Sequence, residues 1–247
     1  MTRKKWMIAL AAAGWLTLAA LPAAYGGYYW EMIEVQEGMG MPEGMPANLP
    51  QAVKDQFART TERTVRHYAG DDGYRTEDGE MIMIMDYRTM TVFSIDPGEK
   101  TYFRVDIQNL GQDQPVVGEM ARVMKQSITI TPSDEVRKIA GYACRKYTVS
   151  SMMGNGEYWA SKEVKAYPYL KSSAEKMGRA MAANPMFAQM NLGDLISRIE
   201  GFPVRTMMNV MGATTTVTLK HIESRDLDKA LFQIPAGYAE ESMPAFE

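Results

Sequence analysis

The sequence predicts a mainly β fold of the α+β class: one antiparallel sheet with a helical pair covering one face. Three observations carry that prediction. Short runs rich in aromatic and β-branched residues recur between Gly, Pro, Asn and Asp turns along most of the chain. Helical periodicity appears in one region only, between Tyr167 and Gly201. No repeat and no linker divides the 247 residues, so the expected organisation is an export segment over 1–26 and a single β-rich domain over 27–247.

The export segment has three parts. Arg3, Lys4 and Lys5 form a basic start, Trp6 to Leu21 is an apolar run, and Pro22 to Gly27 is small and turn-prone. That is the anatomy of a secretory signal peptide, with Ala24 and Gly26 as small residues flanking a cut after Gly26, and Ala24 as the alternative site. The competing reading is a retained membrane anchor, but the apolar run falls just short of the roughly 17–25 residues that span a bilayer. No cysteine follows the run to accept a lipid, and no later segment is long and apolar enough to span. The expected product is a periplasmic protein with no stable membrane anchor.

The strands follow in order. Tyr28 to Val35 is the first, and Gly38 to Pro50 breaks it with Gly and Pro. Ala52 to Ala58 is a short helix or a lead into the strand Thr60 to Ala69, and Asp71-Asp72-Gly73 turns the chain into Tyr74 to Glu77. Met81 to Tyr87, Met90 to Ile95 and Lys100 to Ile107 come next, with Asp96-Pro97-Gly98-Glu99 as a tight turn between the last two. Alternation sets Met81, Met83 and Met85 on one face and Ile82 and Ile84 on the other, a pattern expected of a strand covered on both sides. Gln108 to Glu119 reads as loop and Glu119 to Lys125 as a helical turn. Ser127 to Thr131, Glu135 to Ile139 and Tyr142 to Met152 continue the sheet, and Glu157 to Ser161 pairs back across Gly154-Asn155-Gly156.

After Tyr167-Pro168, Leu170, Ala174, Met177 and Met181 recur at helical spacing. Asn184-Pro185 ends that helix and starts a second, which carries Met186, Met190, Leu195, Ile196 and Ile199 towards Gly201. Pro203 to Met211 and Thr214 to Ile222 are strands hinged at Gly212, and a short turn over Asp228 to Leu231 precedes the tail.

Composition narrows the function. The chain holds 27 basic and 30 acidic residues, and loss of Arg3, Lys4 and Lys5 leaves 24 against 30, which argues against nucleic-acid binding. Cys144 is the single cysteine, so no internal disulfide forms, and it reads as a small buried apolar residue. His67 and His221 read as surface or strand-edge residues. Nucleophile elbows, phosphate-binding loops and His-Glu-x-x-His pairs are absent from the sequence, Asp71, Asp72 and Glu77 are explained by turn chemistry, and the expectation is a non-enzyme without a cofactor. Methionine is the outlier at 22 residues, of which 20 follow Gly26. Thioethers fill irregular cores and line adaptable pockets; they also bind Cu(I), which makes Met39, Met41 and Met45 the candidate ligands of an alternative, copper-binding reading.

Three motifs carry a family resemblance: Gly141-Tyr-Ala-Cys-Arg-Lys-Tyr147-Thr-Val with Tyr158-Trp-Ala-Ser161, then Gly201-Phe-Pro-Val204, then Leu231-Phe-Gln-Ile-Pro-Ala-Gly-Tyr238. Together they resemble an exported bacterial domain-of-unknown-function family similar to the LolA-like lipoprotein carriers. The resemblance implies a curved antiparallel half-barrel with helices closing its concave side over an apolar cavity. The expected function is therefore a soluble periplasmic binding or carrier protein, its partner a lipid, a lipoprotein acyl chain or another apolar ligand. The lining expected from periodicity is Met81, Met83, Met85, Phe93, Phe103, Met177, Met181, Met190 and Ile196. A non-catalytic structural or sensor domain that binds an envelope protein is a further alternative.

Overall fold

The computed structural model describes residues 24–38, 59–109, 128–151, 154–182, 184, 198–210 and 212–242. Within them the chain forms β1 (Ala24–Glu37), β2 (Thr61–Ala69), β3 (Gly73–Glu77), β4 (Ile82–Asp86), β5 (Thr91–Asp96), β6 (Thr101–Asp106), β7 (Thr129–Ile139), β8 (Tyr142–Ser151) and β9 (Gly154–Ser161). The helix α1 (Tyr167–Met181) follows, then β10 (Phe202–Val210), β11 (Ala213–Asp228), a 3-10 turn (Lys229–Phe232) and β12 (Ala239–Glu240). All twelve strands join one curved, open sheet in the order β12-β6-β5-β4-β3-β2-β1-β11-β10-β9-β8-β7. β1 is therefore central, flanked by β2 and β11, and the chain crosses from β6, next to the β12 edge, to β7 at the opposite edge.

Pairing is antiparallel throughout except at β12, which runs parallel to β6 with Ala239 opposite Thr101. The expectation of a purely antiparallel sheet is corrected there, because the tail reaches β6 from across the sheet rather than through a hairpin. The meander turns share one device: Asp78, Asp86, Asp96 and Asp106 each follow or end a strand. Each offers a carboxylate oxygen to the backbone N–H groups two and three residues on. A short acceptor at that position holds the chain in a turn without help from the ladder.

The helix explains the curvature. Asn184, buried just past its C-terminal end, donates from Nδ2 to the carbonyls of Ile107 and Gln108 beyond β6. Its N-terminal end follows β9. Eight strand spacings of about 4.8 Å, roughly 38 Å in all, separate β9 from β6 along the sheet, whereas the fifteen residues of α1 span roughly 22 Å. A helix tied near both places holds the sheet bent around it.

Register fixes the two faces. Trp30 opposes His67 across β1 and β2, Ala69 opposes Tyr74, and Tyr74 opposes Met85. These residues share the face that looks towards α1, where Tyr28 meets Tyr169 at 5.3 Å between ring centroids. On the other face Ile84 and Ile95 are fully buried, and Arg75 donates from a guanidinium nitrogen to the carbonyl of Leu231 in the 3-10 turn. A Cβ at Gly73 would meet the Phe232 ring at 3.2 Å, so the C-terminal segment seals this side.

Several expectations change. Among the described residues there is one α-helix rather than a helical pair; residues 185–197, where the second was expected, lie outside them. Glu135 to Ile139 does continue the strand begun at Ser127 to Thr131, as one strand, β7, whose register slips between Pro132 and Val136. As an edge strand it carries Pro132, that bulge and several charges, each of which discourages pairing with another chain. Gly154 and Gly156 are not turn residues but the start of β9. A Cβ at Gly154 would stand 2.0 Å from the Asn209 carbonyl oxygen, and one at Gly156 would stand 2.1 Å from the Met208 sulfur. Close approach of β10, not a tight turn, requires glycine there. Cys144 is fully buried, as its strand context suggested.

Candidate functional site

An apolar cavity of about 330 Å³ lies under α1. Tyr167, Leu170, Lys171, Ala174 and Glu175 form its roof. Their spacing is that of one helix face, with the charged pair towards solvent. Trp30 of β1 and Tyr158 of β9 form the floor, and Ile199, Gly201, Phe202 and Pro203 form a wall leading into β10. No residue of α1 is fully buried. Tyr167, Tyr169 and Leu170 pack against the core from its first turns, partly buried, and the rest of its apolar face lies over the cavity.

The wall is shaped by Gly201, whose φ is +122°. A Cβ there would stand 2.7–2.9 Å from the backbone N, C and O of Ser161. Backbone atoms cannot move aside as a flexible side chain can, so Gly201→Ala is expected to cost about 1–3 kcal/mol through strain, read as a lowered urea midpoint. The Tyr147 hydroxyl supports the same wall, accepting from the Glu200 backbone N–H at 3.2 Å.

The floor has an unusual underside. Trp30 stacks on His67 with ring centroids 4.9 Å apart and planes 8° from parallel, and meets Phe202 edge to face at 6.0 Å. His67 Nδ1 lies 2.7 Å from the Tyr74 hydroxyl, while its buried Nε2 has no hydrogen-bond partner among the described residues. Burial lowers the His67 pKa to about 4, and burial raises that of Tyr74. His67 is thus an inner residue of the sheet, correcting the expectation of a surface or strand-edge histidine. His221 is exposed and pairs with Glu223 at 3.1 Å.

The described residues among those expected to line the cavity stand elsewhere. Register places Met83, Met85 and Phe103 on the face of Trp30 and Tyr74, but Met83 and Met85 are three strands and Phe103 five strands from Trp30, and Met83 is 49% exposed. Met81 precedes β4 and is 36% exposed. Phe93 opposes Ile84 and so belongs to the face sealed by the C-terminal segment. Met177 and Met181 are half-buried on α1, beyond the turns that roof the cavity. Met190, Ile196, Met39, Met41 and Met45 lie outside the described residues. Of the helix face read from periodicity, Leu170 and Ala174 reach the cavity. Trp30, Tyr158 and Phe202 were missed because a sheet's curvature decides which of its apolar residues meet a helix, and pattern alone does not report curvature.

Among the described residues no group of three or more His, Cys, Asp or Glu side chains is placed to hold a metal ion. Burial raises the pKa of the Cys144 thiol, which donates to the Tyr142 carbonyl. No described helix is long and apolar enough to cross a membrane.

The profile of the family described as "Domain of unknown function (DUF4412)" matches residues 39–238. The chain belongs to that family. The matched span begins just after β1, yet the floor residue Trp30 comes from β1. No curated protein matches the chain. Among solved structures, PNGF-II in space group C2 is similar at 11% identity and a TM-score of 0.39, over 87% of this chain and 31% of that one. PNGF-II in space group P21 is similar at 10% identity and a TM-score of 0.37, over 84% and 30%. The chain spans about a third of the length of those structures.

Proposed function

We propose that this DUF4412 chain is an exported, periplasmic binding or carrier protein that shelters an apolar ligand, such as a lipid or acyl chain, beneath α1. The observation that carries the reading is the cavity itself, apolar on floor, roof and wall, under a helix with no fully buried residue. A LolA-like kinship and export by the N-terminal segment are part of the same reading. So is the absence of catalysis: the site's role is to exclude water, not to move protons.

The size supports one slender guest. Ligand pockets run from roughly 300 to 1,000 Å³, so about 330 Å³ suits a single chain better than a multiply acylated lipid. Moving each methylene out of water yields about 0.8 kcal/mol, so eight of them supply roughly 6 kcal/mol before the cost of immobilisation. That gross figure alone corresponds to a dissociation constant of roughly tens of micromolar, and the cost of immobilisation weakens it further, weak enough for a carrier to release its load.

Ala174 offers the test, since a larger side chain there fills the cavity from the roof. Ala174→Phe is expected to weaken binding of an apolar fluorescent probe by about tenfold or more, the loss of roughly two buried methylenes' worth of contact, with an unchanged circular dichroism spectrum. Equal affinity in the two proteins contradicts the proposed location.

A further inference from the structure

The cavity mouth carries a charge arrangement that bears on the ligand's head. Lys171 and Glu175 both line it, one turn apart on α1, and their charged atoms are 3.9 Å apart. That separation is an ion pair but not a hydrogen bond. Both side chains are half exposed, at 50% and 52%, and neither makes a hydrogen bond to any other described residue. The neighbouring charges are already occupied. Lys162 holds Glu200 at 2.5 Å, and Arg145 donates to the Ser133 carbonyl and reaches Asp134 at 3.4 Å. Among the described lining residues the mouth therefore presents one ammonium and one carboxylate, side by side, each with hydrogen-bonding capacity not used by another described residue. Inside, Tyr158 and Tyr167 make no side-chain hydrogen bond among the described residues, so the lining supplies little else to orient a polar group.

We infer that the ligand is a single-chain zwitterionic amphiphile, its tail in the cavity and its head laid across Lys171 and Glu175. The inference rests on the apolar-ligand reading and deepens it. An anionic oxygen of the head faces the Lys171 ammonium, and a cationic N–H donor a few ångströms along the head faces the Glu175 carboxylate. A purely anionic head meets Glu175 as a like charge, and a purely cationic one meets Lys171 so. A phosphoethanolamine head has both charges at about the required separation, and its ammonium keeps the N–H donors that a quaternary amine lacks.

Because the pair is solvent-exposed, each contact is modest, and selectivity of roughly three- to tenfold is expected rather than absolute discrimination. The experiment measures binding of four probes with the same tail, each below its micelle concentration: lauroyl lysophosphatidylethanolamine, dodecanoic acid, dodecylamine and dodecanol. The lysophospholipid should bind tightest, and its advantage should shrink at high salt. Lys171→Glu should weaken the lysophospholipid roughly three- to tenfold relative to dodecanol measured on the same variant, which removes its advantage. The double exchange Lys171→Glu with Glu175→Lys should recover most of the loss, since a flexible head can reverse its orientation. Equal binding of all four probes overturns the head-group inference while the apolar cavity stands. Tightest binding of the acid or the amine also overturns it. Binding of none, with the protein folded, overturns the cavity reading and this inference with it.

Discussion

Trp30→Ala is expected to be the most damaging single substitution in the described structure, with a loss of about 3–5 kcal/mol of stability. The residue is 7% exposed at the centre of the sheet, where β1 joins β2 to β11. It supports three things together: the stack on His67, the edge contact with Phe202, and the cavity floor. Removal enlarges an opening that already exists, so neighbouring side chains cannot collapse to fill the space, and the upper part of that range applies. Trp30→Phe keeps an aromatic surface and should cost less than half as much. Chemical denaturation of the three proteins measures both values. The alanine variant should also lose affinity for an apolar probe under conditions where it remains folded, because the probe rests on this ring.

The second large effect is a dependence of stability on pH. His67 has its ordinary value near 6.5 when unfolded and about 4 in the fold, lowered by burial between Trp30 and Tyr74. Above pH 6.5 both states are neutral at this residue, and the fold suffers no penalty. As pH falls from about 6.5 to about 4, the unfolded chain takes up a proton that the fold refuses. Stability should then decline by about 1.4 kcal/mol per pH unit, roughly 3 kcal/mol over the window. Several carboxylates, among them Asp78 and Asp86, have lowered pKa values in the fold, and their contribution is lost only at more acid pH. His67→Phe retains the stack and removes the proton site. It should be less stable than the parent near pH 7, because the Tyr74 hydroxyl loses its partner, yet nearly flat between pH 6.5 and 4.5. Urea midpoints across that range distinguish the two proteins. A parallel slope in both would place the titration elsewhere.

These two residues also show what the sequence reveals and where it stops. Strand positions were legible because alternation and turn chemistry are local: Asp96-Pro97-Gly98-Glu99 turns the chain where expected, and Tyr74 to Glu77 pairs back on β2. The first turns of α1 were legible for the same reason, through Leu170 and Ala174. Gly154 and Gly156 misled because glycine has two uses, and only the approach of β10 shows which applies. The site was largely hidden. Whether Trp30 or Met83 floors the cavity depends on how far the sheet curves and where Asn184 anchors the helix, both set by contacts between residues far apart in sequence. His67 reads from sequence as a surface or strand-edge residue. Its stack on Trp30 depends on β1 inserting between β2 and β11, a pairing that no local pattern encodes.

The central claim is that an acyl chain lies against Trp30 beneath α1, and tryptophan emission reports on it directly. The chain has four tryptophans, Trp6, Trp15, Trp30 and Trp159, and the first two precede the expected cleavage after Gly26. In the protein lacking 1–26 and carrying Trp159→Phe, Trp30 alone emits. Titration with a single-chain amphiphile brominated along its tail should give saturable quenching at one ligand per chain, weakened about tenfold or more by adding Ala174→Phe. Absence of quenching, or quenching that rises linearly without saturation and ignores Ala174→Phe, would contradict the claim.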